Sequence, residues 1–312
     1  MVRRTSARMS LRDRLPKRVM IVEVSPRDGL QSEKTAVPTE AKIALIERLA
    51  DAGLTVIEAT SFVSPRAVPQ LADAHEVLKG IRRRPGVRYP VLVPNERGFE
   101  RAVAAGAEEI AVFASASESY SRKNLGRTRE EALAMFRPVV RRAKEAGLRV
   151  RGYLSMVIAD PWEGPLAVPD VVRAGVELLE LGCDELSLGD TIGAGTPLQV
   201  QELIRGYLDA GVPTSRLAVH FHDTYGQALA NVLAAMELGV TVVDASAGGI
   251  GGSTVIEGAM GNLATEDLLW MLRGLGIETG VELEKVAATS RWIASVLGHE
   301  LPGRVARALR PS

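Results

Sequence analysis

From residue 19 onward the chain switches repeatedly between two hydrophobic periods. Short apolar, β-branched runs occupy residues 20–24, 56–59, 89–93, 110–114, 150–156, 185–188, 217–221 and 240–245. Between them apolar positions recur three and four apart, as in Ile43, Leu45, Ile46 and Leu49, and predict helices over 39–52, 65–79, 96–105, 128–146, 169–181, 197–210, 227–238 and 265–272. Many of these stretches end on glycine, at Gly53, Gly80, Gly106, Gly147, Gly182, Gly211 and Gly239. Glycine takes the left-handed conformation just past a helix end at little cost. One more helix is expected over 283–297. Eight strand–helix units predict parallel strands joined by helical crossovers. The strands are apolar almost throughout, as they must be when both sheet faces are covered. The expected fold class is α/β, a (β/α)8 TIM barrel with an extra C-terminal helical segment. An open doubly wound sheet is the competitor, but no Gly-x-Gly-x-x-Gly follows the first strand.

Composition narrows the partners. The 312 residues are 46% hydrophobic, with 38 basic and 38 acidic side chains. That excludes disorder as the main state. It also leaves no electrostatic footprint for nucleic acid or an anionic membrane surface, and neither is expected as a partner. No apolar stretch approaches the length of a spanning helix. The lone cysteine, Cys183, excludes a disulfide framework and a cysteine-based zinc cluster. It precedes the sixth strand, reads as structural, and fits a reducing cytoplasm. Residues 1–18 carry Arg3, Arg4, Arg8, Arg12, Arg14, Lys17 and Arg18 against Asp13 alone. We read them as a basic, disordered tail, with Met9 as an alternative start. A transit peptide is the other reading, weakened by the lack of an apolar face. Residues 19–312 are then one catalytic barrel domain.

In such barrels the chemistry sits at the C-terminal ends of the strands, and the unusual polar residues fall there. Alternate strand residues point the same way, so His220 and His222 aim two imidazoles to one side, with Phe221 facing away. That suits one divalent metal. Asp28 follows the first strand, which pairs with the eighth when the barrel closes, and Asn262 follows the eighth. Asp28, His220, His222 and Asn262 can therefore converge. Oxygen and nitrogen donors without thiolate favour Mg²⁺ or Mn²⁺, with Zn²⁺ admissible. Arg27, beside Asp28, is placed to stabilise an enolate or thioester oxygen. Glu58 and Asp190 are acids at strand ends, suited to orienting Arg27, closing the barrel mouth or moving a proton. The loop 248–252 is rich in glycine but lacks a phosphate-loop ending, and reads as a mobile loop carrying a proton-transfer residue.

Together these residues resemble the 3-hydroxy-3-methylglutaryl-CoA lyase family. The resemblance rests on Glu23-Val24-Ser25-Pro26-Arg27-Asp28-Gly29-Leu30-Gln31, Glu58-Ala59-Thr60-Ser61-Phe62-Val63-Ser64-Pro65 and Ser187-Leu188-Gly189-Asp190-Thr191-Ile192-Gly193. It continues through His220-Phe221-His222-Asp223-Thr224-Tyr225-Gly226-Gln227 and Gly261-Asn262-Leu263-Ala264-Thr265-Glu266-Asp267. It implies a TIM barrel with a divalent metal on Asp28, His220, His222 and Asn262. It implies Arg27 at the enolate with Glu58 and Asp190 supporting it, and Arg27 and Gln31 at the substrate. A base near the metal, His220 among the candidates, takes the C3 hydroxyl proton. The C2–C3 bond then breaks in a retro-aldol type cleavage to acetyl-CoA and acetoacetate. A cytoplasmic homodimer acting on an acyl-CoA in leucine degradation is the implied setting.

One departure is plain. The family's loop reads Gly-Gly-Cys-Pro-Tyr with a catalytic cysteine, where this chain has Gly251-Gly252-Ser253-Thr254-Val255. A hydroxyl is far less acidic than a thiol of pKa ~8.5, so Ser253 is expected to relay a proton at most, with Glu257 as a substitute acid. Two other readings follow. One is a related aldolase or condensing enzyme on a different acyl-CoA, disfavoured by the absence of a long C-terminal regulatory domain. The other is a non-catalytic barrel that binds an acyl-CoA or a partner.

Overall fold

The computed structural model describes residues 10–252 and 261–309. Among these residues eight parallel strands close on themselves: β1 (Met20–Glu23), β2 (Val56–Ile57 and Thr60–Ser61), β3 (Val91–Leu92), β4 (Glu109–Ser115), β5 (Arg149–Ser155), β6 (Glu185–Asp190), β7 (Leu217–Phe221) and β8 (Val242–Ala245). β1 pairs with β8 on one side and with the first piece of β2 on the other. The second piece of β2 pairs with β3. Glu58 and Ala59 lie at the break, and their amides go opposite ways, Glu58 to the carbonyl of Glu23 and Ala59 to that of Pro90. The architecture is the expected TIM barrel, with helices outside and a main core between helices and strands.

The barrel interior is less apolar than the sequence pattern suggested. Val22, Val24, Val56, Ala218 and Val242 pack inside on one flank. Across from them runs a ladder of ion pairs: Arg88 to Glu109, Arg149 to Glu109 and Glu185, and Arg151 to Glu185 and Asp244. Arg151 is 2% exposed. A guanidinium so buried needs its carboxylate partners, and their presence fixes the floor on which the mouth is built.

Helices follow the predicted spans closely, with three differences. The stretch 65–79 is not one helix. Only a tight turn at Pro69–Leu71 and the helix Ala74–Gly80 form, because Pro69 has no amide hydrogen and Val68 before it lies outside the helical region (φ −132°, ψ 83°). Gly80 lies inside that helix rather than capping it. A Cβ there would run into Ile43 Cδ1, so the glycine lets two helices approach. The other six glycines have positive φ, as expected. A helix at Glu118–Leu125, started by the Ser117 side chain accepting from the Tyr120 amide, escaped the periodicity because it carries few apolar residues.

Part of the basic tail lies within the described residues. Leu11–Arg14 forms a short helix capped by Ser10 and Asp13. The Glu278 amide donates to Lys17, and the Val19 amide to Glu278. The C-terminal helix Leu283–Leu297 is present as expected, followed by Arg304–Ala308. No helix among the described residues is long and apolar enough to cross a membrane. Cys183 is buried, and burial pushes its thiol up to about 12. That matches the structural role expected of it.

Candidate active site at the barrel mouth

The chain leaves β1 through a wide helical turn at Ser25–Gly29, in which the amides of Arg27, Asp28 and Gly29 all donate to the Val24 carbonyl. Glu23 anchors this turn. Its Oε1 accepts from the amides of Ser25 and Ala247 (both 2.9 Å), and its Oε2 from the Thr265 hydroxyl (2.7 Å). The β1 and β8 loops are thereby tied together.

The turn aims Arg27 and Asp28 at the mouth. Arg27 Nε donates to Glu58 Oε2 (2.8 Å) and its Nη1 to Asp28 Oδ1 (2.7 Å). Its guanidinium lies 5.4 Å from the centre of the Tyr153 ring, whose hydroxyl is 3.2 Å from Glu58 Oε2. Burial disfavours the charge on Arg27, but Glu58 and Asp28 more than compensate and keep it protonated. Burial acts against ionised Asp28 too, yet Arg27 and then His220 hold its pKa down to about 2. Glu58 shows the opposite balance: burial lifts its pKa despite Arg27.

The two histidines arrive on β7. One side-chain atom each from Asp28, His220 and His222 lies within 4.8 Å of the others, all three residues being buried. His220 Nε2 is 3.7 Å from Asp28 Oδ2, and its Nδ1 is 3.1 Å from Asp244 Oδ2. His222 Nδ1 has no hydrogen-bond partner among the described residues. Burial, and His220 beside it, push the His222 pKa down to about 4, so this imidazole is neutral and its lone pair is available. Asn262 reaches the cluster through a bridge to His222. Its Nδ2 donates to Asp28 Oδ2 (2.8 Å) and to the Ile250 carbonyl (3.2 Å). A carboxylate, two imidazoles and a neighbouring amide, one imidazole nitrogen being orphaned, fit a divalent cation by their chemistry. A cavity of about 440 Å³ opens onto the cluster, lined by Arg27, Gln31, Tyr153 and His222 and, further out, by Val63 and Leu125.

A family model described as HMGL-like matches residues 18–293. The rat mitochondrial hydroxymethylglutaryl-CoA lyase is 53% identical over 294 residues, covering 94% of this chain and 90% of the rat protein. The chain belongs to the hydroxymethylglutaryl-CoA lyase family. The zebrafish relative named 3-hydroxy-3-methylglutaryl-CoA lyase, cytoplasmic, is 55% identical over 95% of the chain and 88% of its own length. Among solved structures, the hydroxymethylglutaryl-CoA lyase of Pseudomonas aeruginosa superposes with a TM-score of 0.92 at 47% identity, covering 95% of this chain and 98% of that one.

Within this lyase fold, the two acids expected to support Arg27 separate: Glu58 takes that role and Asp190 does not. Asp190 does not support Arg27. Its carboxylate accepts from the amides of Ala194 (3.2 Å) and Gly195 (2.8 Å) and shapes the loop after β6. Strand alternation gives the reason: Ser187 and Gly189 face the barrel interior, so Asp190 faces out. Burial lifts its pKa to about 6. Glu58 does support Arg27 but does not line the cavity, which fits orienting the guanidinium rather than transferring a proton. Ser253 and Glu257 lie outside the described residues.

Four contributors escaped the sequence reading: Glu23, Arg151, Tyr153 and Asp244. Arg149, Arg151, Tyr153 and Ser155 alternate along β5, and that period of two was the available signal.

Behind the site, Glu266 is fully buried. Its Oε2 accepts from the Gly248 amide (3.0 Å) and the Ser290 hydroxyl (3.1 Å), while Oε1 has no partner among the described residues. Burial lifts its pKa to about 7. A carboxyl whose folded pKa is raised binds its proton more tightly when folded. Stability is then full below about pH 4.5 and falls as pH rises through 7. Glu266→Gln is expected to remove this loss, a gain on the order of 2–3 kcal/mol at pH 8. Thermal unfolding from pH 5 to 8 checks it, and parallel Tm profiles for the two proteins would contradict it.

Proposed function

We propose that the chain cleaves 3-hydroxy-3-methylglutaryl-CoA to acetyl-CoA and acetoacetate at this cluster, with Asp28, His220, His222 and Asn262 holding a divalent metal. The reaction is a carbon–carbon lyase step of retro-aldol type. The convergence of Asp28, His220 and His222 beside an arginine fixed by two carboxylates carries the reading.

Mg²⁺ or Mn²⁺ suits the donor set, Zn²⁺ is chemically admissible, and a bound ion supplies Lewis acidity that lowers the pKa of the substrate's C3 hydroxyl. The described cavity-lining side chains able to accept that proton are Asp28, His220 and His222. Arg27 is held by Nε and Nη1, which leaves Nη2 outside both ion pairs to meet the thioester oxygen as the C2–C3 bond breaks and the enolate forms. A pre-aimed cation in a buried site costs no reorganisation at that moment. Gln31 offers a second polar contact, and Val63 and Leu125 an apolar arm for an acyl-CoA chain. The hydroxymethylglutaryl-CoA lyase of Acinetobacter baumannii, solved with coenzyme A and 3-methylmalate, matches with a TM-score of 0.90 at 38% identity over 95% of this chain and 98% of its own, which supports such an occupant. Protonation of the enolate is assigned to Ser253 as a relay, with Glu257 as the alternative acid. We place the activity in leucine degradation, in a cytoplasmic homodimer. The zebrafish relative's name supports the compartment, and gel filtration with light scattering tests the dimer.

The deciding assay is acetoacetate release from 3-hydroxy-3-methylglutaryl-CoA with Mg²⁺ or Mn²⁺, run with a chelator and beside Ser253→Cys. Turnover that the chelator abolishes is the expected result. Turnover by Ser253→Cys alone would remove Ser253 from proton delivery. No turnover by either protein with metal bound would overturn the substrate assignment.

A further inference from the structure

We propose that Asp244 is a positioning residue: from beneath the cluster it fixes His220 in the tautomer whose Nε2 lone pair faces the metal. The proposal rests on the metal reading given above. Asp244 on β8 is the cross-strand neighbour of His220 on β7, so both side chains enter the barrel at one level. The carboxylate is 2% exposed and fully engaged. Its Oδ1 accepts from Arg151 Nη2 (2.6 Å), and its Oδ2 accepts from the Ser187 hydroxyl (2.9 Å) and faces His220 Nδ1 at 3.1 Å. Arg151 is also held by Glu185, 2.9 Å from its Nε.

An ionised carboxylate is an acceptor only. The nitrogen facing it must therefore carry the hydrogen, which leaves Nε2, 3.7 Å from Asp28 Oδ2, as the atom that would offer its lone pair to a bound metal. Among the described residues His222 has no carboxylate hydrogen-bonded to it in this way. One of the two imidazoles is thus locked in orientation and tautomer, and the other is not. Outer partners of this kind orient ligands and raise their basicity.

The buried guanidinium of Arg151 makes the idea sharply testable. In Asp244→Asn the amide oxygen must stay toward Arg151, because an NH2 there would face another donor. The NH2 then faces His220 Nδ1 and donates to it, which drives the imidazole hydrogen onto Nε2, the atom meant for the metal. Mn²⁺ affinity of the substrate-free protein, read from the EPR signal of free Mn²⁺, is expected to fall about 10- to 100-fold. Long-range ¹⁵N–¹H correlation of the metal-free protein, recorded well above the raised pKa of His220, should show a neutral ring protonated at Nδ1 in the wild type and at Nε2 in the variant. If Asp244→Asn does not fold, Arg151→Met with Asp244→Leu removes the buried charges as a pair, leaves Glu185 its contact with Arg149, and should show the same loss. Glu109→Gln, which disturbs the same floor without touching His220, should keep wild-type affinity and so separates positioning from mere support. Mn²⁺ binding within twofold of wild type in the Asp244 variants would overturn the proposal. A wild type that takes up no Mn²⁺, or an Asp28→Asn variant that binds it unchanged, would instead overturn the metal reading beneath it.

Discussion

Arg27→Met is expected to lower kcat for acetoacetate release by about 10³-fold while KM stays within a few-fold. The split follows from where the cation acts. Arg27 is already held at Nε by Glu58 and at Nη1 by Asp28 before substrate arrives, so its contribution grows as charge develops on the thioester oxygen. Methionine keeps much of the volume and removes the charge. The variant also leaves two buried carboxylates without their cation. Glu58, whose pKa burial already raises, takes up a proton, while Asp28 keeps Asn262 as a donor. Pairing Arg27→Met with Glu58→Gln relieves the first problem, and the double variant should match the kcat of Arg27→Met alone, because Glu58 works only through Arg27. Arg27→Lys should fall between, since an ammonium cannot reproduce the fork that spans both acids. Steady-state kinetics on the four proteins settles the matter, and a kcat for Arg27→Met within tenfold of wild type would remove Arg27 from the enolate.

The second large effect is expected at His222. In His222→Leu, Mn²⁺ affinity and metal-dependent turnover should both drop by more than about 100-fold, the loss already reached when an outer-shell partner is removed. Metal-free stability should rise. His222 Nδ1 is buried without a partner among the described residues, and a group in that position costs roughly 1–3 kcal/mol. Leucine fills similar space and has nothing to satisfy. A residue that costs stability in the empty protein and is required in the loaded one is a ligand by behaviour. Equal Tm values with unchanged Mn²⁺ binding would show the imidazole to be packing alone.

The barrel was legible because its strands and helices differ in period, and because glycines such as Gly53 and Gly106 close helices where the left-handed conformation is required. The convergence of Asp28 with His220 and His222 was legible for a similar reason: closure of β8 on β1 is a rule of the fold, and alternation on β7 puts two imidazoles on one side. What stayed hidden was the interior. β5 was read as an apolar run, although Arg151 and Tyr153 alternate with Val150 and Leu154, and a guanidinium inside a barrel shows its purpose only once Glu185 and Asp244 are seen on other strands. Alternation on β6 likewise explains why Asp190 shapes the following loop while Glu58 holds Arg27. The helix at Glu118–Leu125 was hidden by its polarity, even though Ser117 and Gly126 marked both of its ends.

The buried ion pairs of the barrel floor also bear on how the chain finds this shape. Arg151 and Asp244 are 93 positions apart and meet only when the cylinder is complete. Slide β5 by one residue and Val150 and Leu154 turn inward, while Arg151 is carried out among the aliphatic side chains beneath the helices, without an acid to meet it. A buried charge that loses its partner costs ~3–5 kcal/mol, whereas aliphatic side chains exchanged for one another would cost little. Apolar collapse alone would accept several alignments. The arginine accepts one, so the side chains that floor the site also tell the folding chain which barrel to close.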